Sequence, residues 1–260
     1  MKWFNFICDF LVKLNQNPSQ FRRSETAKEA EQISLEIERE KNFIICNGKE
    51  VPIEWDDVIL FDSPEGFSLP KNCYKKAKNE RTPTMFVSHW DVCLSSKSCF
   101  NILKKRKLSV HFLIDNDGTI YQIMDCNDVA WHAGNRKVND KSVGVEISNA
   151  YYPKYQDIYR SQGFGPRPTW KNMKVHGRTL EPFLGFYPWQ EQAFQALTKA
   201  LHNAYDIPLN TPMKDNAAIT TVVPEVVAGT FKGVINHYHV TKRKIDCAGF
   251  DLAEVLAEII

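Results

Sequence analysis

Three short apolar runs constrain this chain most: "TPTMFVSHW" at 82–90, "KSVGVEISN" at 141–149 and "GVINHYHV" at 233–240. Each is too short for a buried helix and reads as a buried strand. Each also carries polar groups where a strand meets a loop: His89 in the first, Glu146 in the second, and in the third the histidines that open the segment His237 to Cys247. An α/β sheet exposes side chains to a cleft at its strand ends, so this placement points to a site.

The segments between these runs settle the class. "NFIICNGKEVPIEW" has apolar runs on either side of Asn47-Gly48, a hairpin signal. "SVHFLIDNDGTIYQIM" reads as two strands joined by a tight turn at Asn116-Asp117-Gly118. "SKSCFNILKKRK" reads as a short helix and "DLAEVLAEII" as a closing one. "PWQEQAFQALTKALHNAY" opens on Pro188 and repeats Phe194, Leu197 and Leu201 at helical spacing. Strands alternating with helices predict an α/β fold, a mixed central β-sheet flanked by helices. Residues 149–187, rich in Tyr, Phe, Pro and Gly, and 207–232 lack periodicity and read as insertions.

Residues 1–42 have a different texture. "MKWFNFICDFLVKL" is apolar but broken by Asp9 and Lys13, and "QFRRSETAKEAEQISLEIEREKN" is helix-favouring with a thin apolar stripe. They predict an N-terminal helical extension to a domain at 43–260, offering a contact for a protein or a membrane surface. No run resembles a signal peptide or approaches the roughly 20 apolar residues of a membrane span. The expectation is synthesis in the cytoplasm.

Composition excludes more than it selects. A net charge of +2 gives no electrostatic case for nucleic acid. Seven cysteines, with no C-x-x-C pair, do not form a disulfide framework and imply reduced thiols. Two imidazoles and a thiolate suit zinc, with a fourth tetrahedral position left for water. A carboxylate buried in V-G-V-E-I-S is costly unless paired or functional, which singles out Glu146.

From about residue 84 to 252 the chain resembles the zinc-dependent N-acetylmuramoyl-L-alanine amidases of the amidase type 2 fold, shared with peptidoglycan recognition proteins and phage endolysins. The matching stretches are "FVSHWD", "SVHFLIDNDGTIYQ", "AWHAG", "NDKSVGVEISN" and "INHYHVTKRKIDCAGFD". The resemblance implies Zn2+ held by His89, by His237 of an H-x-x-V pattern, and by Cys247 before Ala248-Gly249. Ala248 stands where the family has proline. Members ending in R-K-x-D-P-G use the aspartate instead, which would be Asp246, and His239 is the alternative to His237.

The same resemblance makes Glu146 the general base, because the tyrosine used by other members is replaced by Val110. Lys244 would stabilise the oxyanion, with Lys242 and Arg243 as alternatives. Trp131, His132 and Asn139 would contact substrate. His111 reads as structural, and His176 and His202 as surface residues. The aromatic insertion (Tyr151, Tyr152, Tyr155, Phe164, Trp170) reads equally as a groove wall or as a self-packed loop. The implied function is hydrolysis of the muramic acid–L-alanine amide of bacterial peptidoglycan by a phage lysin. Two alternatives stand beside it: a non-catalytic peptidoglycan-binding module, and a virion structural protein carrying an amidase domain.

Overall fold

The computed structural model describes residues 42–259, and the expected N-terminal helices lie outside the described residues. Six strands form the central sheet: β1 (Val58–Ile59), β2 (Met85–Trp90), β3 (Phe112–Ile114), β4 (Ile120–Gln122), β5 (Ser142–Ile147) and β6 (Gly233–Asn236). Their order across the sheet is β6-β2-β5-β3-β4-β1. All neighbours are parallel except β3 and β4, which are joined by the expected tight turn. The sheet is mixed, as the alternation of elements predicts. The Asn47-Gly48 hairpin also forms, pairing Phe43–Cys46 with Lys49–Pro52.

Strand alternation sorts the side chains into two layers. On one face Phe86, Val143, Val145, Ile147 and Val234 pack with Phe194, Leu197 and Leu201. The last three belong to helix Pro188–Tyr205, whose proline occupies the first turn, where a missing N–H has no consequence. The Phe86 and Phe194 rings stack at 5.1 Å. Side chains of this size contribute roughly 2 kcal/mol each when fully buried. On the other face Leu113 packs with Cys99, Phe100 and Leu103 of helix Ser96–Arg106. Met85, Val87 and Ile235 pack there with Val138 of the short helix Arg136–Lys141. This second face also receives His89 and Glu146, which lie opposite one another in the β2–β5 register.

Residues 149–187 are built from a short helix, Gln156–Ser161, and two small hairpins. Arg167 fastens them to the body. Its guanidinium donates to Gly185 O and Gln190 Oε1 at 3.0 Å, to Ser148 O at 2.9 Å and to Asn116 Oδ1. It is sandwiched between the Tyr159 and Tyr187 rings, each 4.3 Å away. Tyr151 packs on Trp90 and Phe183, and Phe164 on Tyr187, so these aromatic residues pack on their own segment and on the core. Among the described residues no helix is long and apolar enough to cross a membrane. The six cysteines found free there are all buried.

Candidate metal centre

The site lies at the carboxyl ends of three adjacent parallel strands, where open α/β sheets expose a crevice. β2 supplies His89 and β5 supplies Glu146, each from its next-to-last position. β6 ends at Asn236, and the chain turns at once into a single 3-10 turn, His237–His239. The loop after it brings Asp246 back over the strand ends, held by a hydrogen bond from Tyr238 N to Asp246 O at 2.9 Å.

Three donor atoms converge here. His89 Nδ1 lies 2.9 Å from His237 Nδ1 and 3.2 Å from Asp246 Oδ2, and His237 Nδ1 lies 2.9 Å from the same carboxylate oxygen. All three residues are buried, at 2, 2 and 5% exposure. His237 donates its Nε2–H to Ala133 O at 3.3 Å, which leaves the Nδ1 lone pair facing the cluster. Burial above all, and then the neighbouring His237, lower the His89 pKa to about 4, so this imidazole is neutral. Burial alone would raise Asp246. The His237 and His89 imidazoles packed against it outweigh that and hold the carboxyl below its usual range. Two imidazoles and one carboxylate within reach of a single point form a donor set that suits zinc.

A cleft of about 580 Å³ opens onto this cluster. Glu146, Lys244, Trp131, His132 and Asn139 line it together with His89 and His237. Burial, reinforced by the charges of Asp246 and Asp91, pushes the Glu146 carboxyl well above its usual pKa, against the pull of Lys244. Its Oε2 is buried and has no hydrogen-bond partner. A polar atom left so is costly unless something else is to meet it. Lys244 is exposed on the rim, and its carbonyl accepts a 2.9 Å hydrogen bond from His176 Nε2.

Several sequence expectations change in detail. Cys247 does not join His89 and His237; it is fully buried in the apolar layer on the opposite face of the sheet. It sits against Ser88, whose side chain leaves β2 on that face, and burial keeps its thiol protonated. Asp246 takes the third place in the cluster. His239 is turned away, donating Nε2–H to Ile219 O at 2.6 Å and accepting from Asn236 N at 3.1 Å. Asn139 faces the cleft, but its Oδ1 is occupied by Ala133 N at 2.9 Å and His132 N at 3.4 Å. Trp131 presents an exposed edge, whereas the His132 ring turns inward to His89 Nε2 at 2.9 Å. His111 is structural, accepting from Gly144 N and donating to Asp128 O, both at 3.0 Å.

The cleft also holds Arg106 and Arg243. Arg106 was not legible as a site residue, because it ends a helix in a run of ordinary surface cations. A second group of potential donors, Asp91, Cys93 and Cys99, lies nearby. There the carboxylate is already used by Cys93 N at 2.8 Å, Asn149 N at 2.9 Å and Ser148 Oγ at 3.0 Å.

Comparison with known proteins places this geometry in context. Residues 79–248 match the family described as N-acetylmuramoyl-L-alanine amidase. No curated protein sequence matches the chain. Among solved structures, it is similar to the N-acetylmuramoyl-L-alanine amidase LysC from Clostridium intestinale URNW, at 19% identity. That alignment covers 77% of this chain and 95% of the other, with a TM-score of 0.43. A mutant endolysin from Bacillus subtilis is also 19% identical, covering 78% of this chain and 99% of that one, with a TM-score of 0.42.

Proposed function

Because the chain belongs to the N-acetylmuramoyl-L-alanine amidase family, we propose that it is a zinc-dependent hydrolase of the amide between N-acetylmuramic acid and L-alanine in peptidoglycan. One observation carries the reading: His89, His237 and Asp246 converge within 3.2 Å beneath a cleft that also holds Glu146 and Lys244. In this reading the first three residues hold the ion. When bound, zinc supplies Lewis acidity, which makes water nucleophilic near neutral pH and polarises a carbonyl.

The chain's own groups supply the rest. Glu146, with one oxygen unpartnered, accepts a proton from the attacking water. Lys244 faces the oxyanion that develops as the amide carbon becomes tetrahedral. Glu146 then returns the proton to the alanine nitrogen as the C–N bond breaks, leaving a lactyl carboxylate and a free amine. Arg106, Arg243 and Lys244 give the cleft a cationic rim, and among the described residues Glu146 is the one carboxylate in its lining. That balance suits a stem peptide bearing free carboxylates. We place the activity in wall degradation by a lysin of phage origin, acting after release from the cell that makes it.

Metal analysis of the purified protein and digestion of isolated walls test this reading. The expected products are new muramic lactyl carboxyl groups and new alanine amino ends. Metal-free protein that digests walls at the same rate would overturn it.

A further inference from the structure

We infer that His132 and Ser142 form a relay that sets the tautomer of His89 and so makes its Nδ1 available to a metal. This rests on the reading above, in which His89 is a ligand. For Nδ1 to offer a lone pair, the ring proton must sit on Nε2, and that N–H needs an acceptor. In His237 the matter is settled locally, because Nε2 faces the Ala133 carbonyl, which can only accept. His89 has no such carbonyl. Its Nε2 faces His132 Nδ1 at 2.9 Å, and an imidazole nitrogen can either donate or accept. His132 Nδ1 accepts only if His132 carries its own proton on Nε2. That nitrogen lies 3.1 Å from Ser142 Oγ, a hydroxyl able to receive it. The tautomer that frees His89 Nδ1 is therefore the one in which Ser142 Oγ accepts from His132 Nε2–H, two side chains away.

The fold builds this arrangement deliberately. Ser142, Gly144 and Glu146 leave β5 on the same face, and the His132 ring lies over Gly144. A Cβ at position 144 would stand 2.7 Å from His132 Nδ1 and 2.8 Å from Cε1, so only glycine leaves room for the ring. The turn that delivers His132 is held by Asn139 Oδ1 through the amides of residues 132 and 133. The His89 and His132 rings meet edge to face, at 87°. His132 is accordingly a positioning residue, not a substrate contact.

The test is zinc titration of the metal-free full chain against a chromophoric chelator, with wall-digestion kinetics measured in parallel. His132→Phe should weaken zinc binding by about 10- to 100-fold. His132→Asn, whose Oδ1 takes the place of Nδ1, should recover most of the affinity. His132→Gln, whose oxygen sits where Nε2 was, should not. Ser142→Ala should weaken zinc in the same direction as His132→Phe. Equal affinities in His132→Asn and His132→Gln would overturn the relay even if His132→Phe fails to fold. So would a raised KM with zinc affinity unchanged, the result expected of a substrate contact. If the wild type binds no zinc, the metal reading itself falls and takes the relay with it.

Discussion

Asp246 and Cys247 are consecutive residues that serve opposite faces of the sheet. Asp246 Oδ2 lies within 3.2 Å of two imidazole nitrogens, while the Cys247 side chain is sealed in the apolar layer beneath the long helix. Asp246→Ala should therefore abolish stoichiometric zinc, read by metal analysis after dialysis. Cys247→Ala should keep the metal and lose about 1 kcal/mol of stability, the effect of deleting one small buried group. Metal lost from the cysteine variant and kept by the aspartate variant would reverse the assignment.

In the proposed mechanism Glu146 and Lys244, which both line the cleft, divide the remaining chemistry. Glu146→Gln preserves shape but cannot accept a proton, so turnover should fall by about 10²- to 10⁴-fold with zinc content unchanged. Lys244→Met should lower kcat by about 10²- to 10³-fold, with a much smaller rise in KM from the weakened cationic rim, because an oxyanion exists only on the way to product. Wall digestion by the glutamine variant at the wild-type rate would remove Glu146 from the mechanism.

His111 predicts a pH dependence of stability. Burial first, and then the nearby Arg81 charge, lower its pKa from 6.5 to about 3. The unfolded chain takes up this proton first, so the contribution of His111 is complete above pH 6.5 and is lost as pH falls toward 3. The slope is about 1.4 kcal/mol per pH unit. In urea melts of metal-free protein, His111→Asn should be less stable than wild type at neutral pH. The gap should close by roughly 2–3 kcal/mol at two units below the ordinary histidine pKa. A gap that stays constant would show that His111 is not held neutral.

Arg167 predicts a local failure. Arg167→Met removes a donor from four acceptors; Ser148 O and Gln190 Oε1 keep a second one, while Asn116 Oδ1 and Gly185 O lose theirs. The loss should be at least about 3 kcal/mol, and Arg167→Lys should recover little, because an ammonium cannot reproduce the planar fork. Limited proteolysis should then cut first within residues 149–187. Unchanged protection of that segment would contradict this account of its anchoring.

The sheet and its placement of the site were legible because their cause is local. Continuous apolar runs marked β2, β5 and β6, and periodicity with an opening proline marked the helix at 188–205. Helix Arg136–Lys141 was not legible, since Val138 is its one apolar residue and gives no period. The two-residue strand β1 was equally hidden, because its place depends on pairing with β4. In the site, His89, Glu146 and the segment opening at His237 follow from strand ends, whereas the choice of His237 over His239 rests on the family resemblance. The choice between Asp246 and Cys247 does not follow from strand ends, because two adjacent loop residues differ only in which way the backbone turns them. The contact of His132 with His89 depends on the missing side chain at Gly144, a non-local fact.

His89 and His237 stand 148 residues apart and meet only because β6 lies beside β2, with Asn236 opposite Ser88. An unfolded chain has no such centre, so an ion held by the native state draws the whole domain toward folding by mass action. Chelation should therefore loosen the domain as a whole and not the cleft alone. In the proposed reading, a polypeptide that stops anywhere between β2 and β6 carries His89 without His237 and Asp246, and so only half a centre.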